Sequence, residues 1–130
     1  MESPQILIDT SILIDYFRKR HKDKTLLYRL SFTYRFAIST VTEFEFFAGL
    51  SAIHLEFTNK LFTNFLILPF DSTCAQTASE IYKKLKSKNQ LISPSDIFIA
   101  ATAISHNLSL LTLNKAHFER VKGLKLLHIK

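Results

Sequence analysis

The run Ile6-Leu7-Ile8-Asp9-Thr10-Ser11 decides the fold that we predict for this chain. Three consecutive apolar residues are typical of a strand that is covered on both faces, as strands of a parallel sheet are. Asp9 follows this strand directly and is a good N-cap for a helix that we predict over 10–20. Asp9 also lies at the carboxyl end of the strand, where open α/β sheets bind ligands, and the two roles are compatible.

Short apolar runs alternate with longer amphipathic segments along the rest of the chain. This pattern predicts further strands at 36–38, 66–68, 108–111 and 124–128, and helices over 25–30, 42–50, 55–65, 71–88 and 94–106. We therefore predict a single α/β domain over 1–130. It has three layers, with a mostly parallel sheet of five strands between two layers of helices.

The composition excludes several classes of protein. The chain has 130 residues, of which 47% are hydrophobic and 22% charged, as is typical of a folded domain. No apolar run approaches the roughly 18 residues of a membrane helix, and the first residues do not resemble a secretory signal. The chain has only two glycines, which excludes a Walker loop and a glycine-rich dinucleotide loop. Its single cysteine, Cys74, allows no internal disulfide, so we expect a cytoplasmic protein.

The net charge of +6 and the pI near 9.6 are compatible with a polyanionic partner. Most of the basic residues fall into three groups, over 18–24, 83–88 and 115–125. Each group alone is typical of solvated helix ends. Together the three groups allow a nucleic-acid interface without requiring one.

Two acids follow the second predicted strand. Glu43 and Glu45 are about 200° apart on a helix, so they cannot share a face. The segment Thr40 to Glu43 matches a capping box, although the pair Thr42 and Glu45 matches one as well. Gly49 lies four residues after Glu45 on the same face and lets another segment approach closely. This spacing favours Glu45 as the inward acid and Glu43 as the cap.

A third acid lies at the start of the alanine-rich helix. Ser93 is a suitable N-cap and Pro94 a suitable first residue, which places Asp96 in the first turn. The helix dipole favours an anion there, and this alone is enough to explain Asp96. However, Ala100 and Ala103 lie on the same face as Asp96, which indicates tight packing beside the carboxylate.

Asp9, Glu45 and Asp96 thus fall at or near junctions between a strand and a helix, and in one parallel sheet these junctions share an edge. Three carboxylates close together repel unless protons or cations neutralise them. A hard divalent ion with oxygen ligands, Mg²⁺ or Mn²⁺, is the simplest candidate. Such a site activates water for attack on a phosphate.

At this point the sequence resembles a known family. Five segments resemble, in order, the motifs of PIN domains: 6–14, 38–49, 68–71, 96–103 and 111–118. The segment Asp96-Ile97-Phe98-Ile99-Ala100-Ala101-Thr102-Ala103 is the most specific of them. In length and order the chain is most similar to VapC-type toxins of bacterial and archaeal toxin–antitoxin pairs.

This resemblance implies a metal-dependent endoribonuclease that a VapB-type antitoxin inhibits. It implies Asp9 and Asp96 as ligands of Mg²⁺ or Mn²⁺, and Glu45 as an acid that acts on the metal or its bound water. It also implies that Thr10, Ser11 and Thr112 orient these carboxylates by hydrogen bonds. Family habit and the surplus of apolar side chains, with 12 phenylalanines, imply a homodimer or an antitoxin groove.

Two positions depart from the family pattern. Many PIN domains carry a fourth acid in the last motif, where this chain has Asn114 and His117. Asn114 can bind a metal-bound water but supplies no charge. The sequence is therefore compatible with a site for one metal ion or for two. A glycine is usual before the third motif, where this chain has Asn89. Asparagine tolerates the left-handed conformation next best, so we expect the turn to form.

Two other functions are compatible with the sequence. The incomplete fourth motif is compatible with a non-catalytic PIN-like module that only binds RNA. A receiver domain phosphorylated on Asp71 is a further alternative, since Asp71 follows a strand. That fold requires adjacent acids after the first strand, and this chain has only Asp9 there.

Overall fold

The predicted alternation of strands and helices is present in a computed structural model, which describes residues 3–49 and 54–129. The elements, in chain order, are β1 (Gln5–Ile8), α1 (Thr10–Arg18), a 3-10 turn (Lys22–Lys24), α2 (Leu26–Leu30), β2 (Arg35–Ser39), α3 (Thr40–Ala48), α4 (Leu55–Phe62), β3 (Leu66–Leu68), α5 (Ser72–Ser87), α6 (Pro94–Ser105), β4 (Leu110–Leu111) and α7 (Lys115–Phe118). Their ends differ from the predicted ends by a few residues. None of the described helices is long and apolar enough to cross a membrane.

The four described strands form one parallel sheet in the order β3-β2-β1-β4. Ile6 pairs with Phe36, and Ile8 pairs with Leu111. All four strands therefore point in the same direction, and their carboxyl ends lie along one edge of the sheet. Asp9 continues the pairing beyond β1, because its backbone N–H donates to the carbonyl of Leu111 at 3.1 Å.

The predicted fifth strand at 124–128 is wrong for the described sheet, which has four strands. That segment makes one isolated parallel bridge, between Leu126 and Leu110. Leu110 donates to the carbonyl of Lys125 at 2.8 Å and accepts from the N–H of Leu127 at 2.9 Å. Because β4 has only two residues, its outer edge offers enough backbone groups for one bridge but not for a longer ladder.

The sheet is covered on both faces, which confirms the three-layer prediction. Leu7 and Leu110 point into a core shared with α5 and α6, whereas Ile8, Ile38 and Leu111 point into a second core shared with α1, α2 and α4. Burial on both faces explains why the strands are continuous apolar runs.

Helix α3 begins one residue earlier than the predicted capping box. Ser39, which is extended, caps the helix by accepting a hydrogen bond from the N–H of Val41 at 3.0 Å. The prediction that Glu43 forms a capping box with Thr40 is therefore wrong, because Thr40 is already the first helical residue. Its hydroxyl instead accepts from the N–H of Phe70 at 3.1 Å.

Two local features shape the two ends of α5. Asp71 caps the helix by accepting from the N–H of Cys74 at 3.0 Å, and Cys74 is fully buried. After the helix, Asn89 adopts the left-handed conformation with φ of 55°. The turn that leads into α6 is therefore made as predicted, without a glycine.

Candidate active site

The carboxylate of Asp9 is buried and held by two hydroxyl groups. Only 2% of Asp9 is exposed. Its Oδ1 accepts from the backbone N–H and the hydroxyl of Ser11, and its Oδ2 accepts from Thr112 Oγ1 at 2.6 Å. Ser11 belongs to α1 and Thr112 directly follows β4, so the carboxylate joins two elements that are far apart in sequence.

Backbone groups fix the direction of both hydroxyls. The N–H of Leu113 donates to Ser11 Oγ at 3.0 Å, and the N–H of Asn114 donates to Thr112 Oγ1 at 2.9 Å. Each hydroxyl thus accepts a hydrogen bond from the backbone and donates one to the carboxylate of Asp9. This arrangement holds the carboxylate in one orientation in its charged form.

A hydrogen bond from α1 holds the side chain of Glu45. Thr10 Oγ1 donates to Glu45 Oε1 at 2.7 Å and lies 3.4 Å from Thr42 Oγ1. Thr10 is the first residue of α1, directly after Asp9, whereas Glu45 and Thr42 belong to α3. The sequence Asp9-Thr10-Ser11 therefore contributes one carboxylate and two hydroxyls that orient carboxylates.

Asp96 lies in the first turn of α6 and is half-buried. Its backbone N–H donates to the capping hydroxyl of Ser93 at 3.3 Å. The side chain of His117, in α7, approaches it, with Nδ1 3.7 Å from Asp96 Oδ2. Ala100 and Ala103 are fully buried one and two turns further along α6, as the sequence indicated.

Charge repulsion couples the three acids, which we call the acidic site (Asp9, Glu45 and Asp96). Burial raises the pKa of Asp9, the hydrogen bonds from Ser11 and Thr112 offset part of this effect, and the charge of Asp96 adds to it. Burial likewise raises the pKa of Asp96, the contacts with Ser93 and His117 oppose this, and the charge of Glu45 adds to it. Burial and the charges of neighbouring acids therefore both oppose ionisation of Asp9 and Asp96.

The acidic site offers the negative charge and the oxygen donors that a divalent cation prefers. In the part of the chain that the structure describes, no lysine or arginine forms a salt bridge with the acidic site, and His117 is its one ionic partner. Among the same residues, no three acidic, histidine or cysteine side chains lie close enough together to hold one ion. The carboxylates instead form a chain of pairs, and a hard cation is what such oxygen donors prefer.

The family follows from comparison with known proteins. A model of the PIN domain matches residues 6–124, which include the whole acidic site. The chain belongs to the PIN-domain family. This PIN domain is 42% identical to ribonuclease VapC1 of Methanocaldococcus jannaschii over 128 residues, which cover 96% of this chain and 88% of the relative. It is 33% identical to ribonuclease VapC1 of Rickettsia felis, covering 95% of this chain and 96% of that protein.

Solved structures share the fold of this PIN domain. DNA-bound VapBC from Salmonella typhimurium superposes with a TM-score of 0.83 at 23% identity, over 97% of this chain and 98% of that one. A toxin–antitoxin complex from Klebsiella pneumoniae superposes with a TM-score of 0.73 at 28% identity, over 92% and 94% of the two chains. The arrangement of sheet and helices is thus shared with chains of these two complexes.

The last motif of this PIN domain carries two polar side chains, those of Asn114 and His117. Asn114 is exposed, and within the described residues its side chain makes no hydrogen bond, although its backbone N–H orients Thr112. His117 is the side chain of this motif that approaches Asp96. Helix α7 has only four residues, which is too short for a periodic pattern to indicate the direction of His117.

Proposed function

We propose that this PIN domain is a metal-dependent endoribonuclease of the VapC type, which hydrolyses phosphodiester bonds of RNA in the cytoplasm. The observation that carries the proposal is the pair Asp9 and Asp96, a buried and a half-buried carboxylate. Burial raises both pKa values, the charge of Asp96 adds to the rise for Asp9, and the charge of Glu45 adds to the rise for Asp96. The ribonuclease names of relatives at 42% and 33% identity support RNA as the substrate. Perturbed acids in a cleft at the edge of a sheet are typical of functional sites.

Each residue of the site has a role in this proposal. Asp9 and Asp96 would hold Mg²⁺ or Mn²⁺, which would supply activation of a water and stabilisation of charge on the phosphate. Glu45, which Thr10 orients, accepts a proton from that water. Ser11 and Thr112 hold the carboxylate of Asp9.

The last motif supplies polar groups but no fourth carboxylate. Asn114 offers an uncharged amide to a water or a phosphate at the rim of the site, and its side chain is free to do so among the described residues. His117 carries positive charge toward Asp96 when protonated, which offsets part of the repulsion within the acidic site.

We also propose a VapB-type antitoxin and a second copy of this chain as partners. The toxin–antitoxin complex from Klebsiella pneumoniae, at 28% identity, supports the first. Large apolar side chains that are exposed in the single chain support both, and Phe32 and Phe44 are 74% and 72% exposed. Apolar exposure of this degree is typical of surfaces that another protein covers.

The test is cleavage of total cellular RNA by the purified protein free of antitoxin. We expect discrete fragments with Mg²⁺ or Mn²⁺ and none with EDTA. Asp96→Asn should abolish cleavage, whereas Asp15→Asn, a matched change of a partly exposed aspartate in α1, should cleave like the wild type. Cleavage in EDTA would disprove the metal mechanism, and cleavage by Asp96→Asn would disprove the residue assignment.

A second function, RNA binding without catalysis, is favoured by one observation. The position where PIN domains often have a fourth acid is Asn114, whose exposed side chain makes no hydrogen bond with the described residues. This alternative predicts that Mn²⁺ gives no binding heat in calorimetry. It also predicts RNA binding that is unaffected by metal and by Asp9→Asn.

A further inference from the structure

We propose that a basic cleft on one side of α5 binds backbone phosphates of the RNA strand outside the acidic site. We call it the basic cleft, and its charged lining consists of Lys84, Lys88, Arg120, Lys122 and the single acid Glu80. This inference rests on the proposed function, because it assumes that an RNA strand occupies the acidic site.

The cleft has a defined shape. It encloses about 130 Å³ between α5 and the segment that follows α7. Its floor is apolar and buried, formed by Ile81, Leu85 and Val121. The basic side chains are exposed at its rim, so they reach solvent from a fixed apolar base.

The positive charges at the rim are not neutralised by the protein. The ammonium of Lys122 lowers the pKa of Lys88, with further contributions from burial and from Lys84. Among residues 3–49 and 54–129, none of the four basic residues forms a salt bridge with an acid. Like charges held together repel, and an anion that lies between them removes the repulsion.

The basic cleft is connected to the acidic site. The guanidinium of Arg120 donates to the carbonyls of Gln90 and Leu91, at 3.4 and 3.3 Å, in the loop between α5 and α6. This loop leads into the first turn of α6, which carries Asp96. Arg120 also lies only three residues after His117, the residue that contacts Asp96.

The distance is suitable for one RNA strand. The eight residues from Lys88 to Asp96 span at most about 29 Å if fully extended. A strand whose scissile phosphate lies at the acidic site can therefore reach the cleft within a few nucleotides. Single-stranded nucleic acids bind along such positively charged grooves over several nucleotides. This continuity favours RNA over an acidic protein segment as the occupant.

The test measures RNA binding separately from cleavage. Labelled single-stranded RNA is titrated with full-length Asp96→Asn protein, which leaves the RNA intact, at several salt concentrations. The test variant adds Lys88→Gln with Lys122→Gln. The matched control adds Lys24→Gln with Lys60→Gln, which removes the same charge from exposed lysines outside the cleft. Melting temperatures of all variants verify folding.

We expect the cleft variant to raise the Kd about tenfold at low salt. We also expect its plot of log K against log salt to become shallower by about 1.4, or about 0.7 for each lost phosphate contact. The control should change neither. The melting temperature of the cleft variant without RNA should not fall, because the substitution relieves repulsion between Lys88 and Lys122.

Two results would overturn the proposal. One is an equal loss of affinity in the cleft variant and in the control, which would mean that only net charge matters. The other is unchanged RNA binding together with weaker binding of a polyglutamate peptide, which would make the cleft a docking site for an acidic protein. Failure of the nuclease proposal is distinguishable, because wild-type protein would then bind RNA through the cleft without cutting it.

Discussion

Replacing Thr112 by valine tests how the fold holds the carboxylate of Asp9. Thr112 is 2% exposed, and its hydroxyl donates to Asp9 Oδ2 at 2.6 Å. Valine has nearly the same shape, so the substitution removes this hydrogen bond, and the weaker one that Thr112 Oγ1 accepts from the N–H of Asn114, with little change in packing. A hydrogen bond to a charged group contributes about 1.5–3 kcal/mol. We therefore expect the free energy of unfolding to fall by about 2 kcal/mol at neutral pH.

The pH dependence of this loss identifies its cause. The pKa of Asp9 is raised above 3.8, so the stability that Asp9 contributes is present below pH 3.8 and is lost as the pH rises through the raised pKa. Thr112→Val removes a group that stabilises the charged form, and thus raises the pKa further. The loss of stability should grow with pH, from about 1 kcal/mol where Asp9 is neutral to about 2 kcal/mol where it is ionised.

The assay is urea denaturation of metal-free protein, from pH 4 to pH 8, with two controls. Thr112→Ser keeps the hydroxyl and should keep the pH profile of the wild type. Thr102→Val removes an equally buried hydroxyl that donates to the carbonyl of Phe98 in its own helix, with no charged partner. If Thr112→Val costs no more than Thr102→Val, or costs the same at every pH, the reasoning about Asp9 is refuted.

Three further predictions concern other residues. Asp96→Asn should raise the melting temperature in EDTA at neutral pH, because it removes a carboxylate whose pKa burial raises; the gain should vanish toward pH 3.8. Thr10→Val should lower kcat for RNA cleavage by about tenfold to a hundredfold by releasing Glu45, and Thr10→Ser should restore it. Lys22→Met should lower the free energy of unfolding by about 1–3 kcal/mol in urea, since its ammonium donates to two carbonyls at the end of α1, whereas Lys24→Met should not.

Much of the fold could be predicted because its strands are buried on both faces. The apolar triplets at 6–8, 36–38 and 66–68 coincide with β1, β2 and β3. Asp9 and Ser39 directly follow the first two triplets and cap the next helix, whereas Asp71, which caps α5, follows the third triplet after Pro69 and Phe70. Parallel strands end together, which places Asp9 and the start of α3, the helix of Glu45, at one edge of the sheet. Asp96 follows helix α5 and no strand, so its interaction with Asp9 depends on how α6 packs.

The features that sequence could not predict depend on contacts between distant segments. The segment 124–128 is as apolar as a strand, but it pairs at a single bridge because β4 is short. Ser39 and Thr40 are both good caps, and only the backbone conformation shows that Ser39 is the one used. The contact between His117 and Asp96 depends on how α7 packs against α6, which no local pattern in a four-residue helix encodes.

Calorimetric titration with Mn²⁺ tests the central claim most directly, because it asks whether the acidic site holds a divalent cation. The titrations compare wild-type protein with Asp9→Asn, Asp96→Asn and the control Asp15→Asn. We expect wild type and Asp15→Asn to bind Mn²⁺ alike, and the other two variants to bind at least about tenfold more weakly. Equal binding by all four proteins, or no binding by the wild type, would contradict the account.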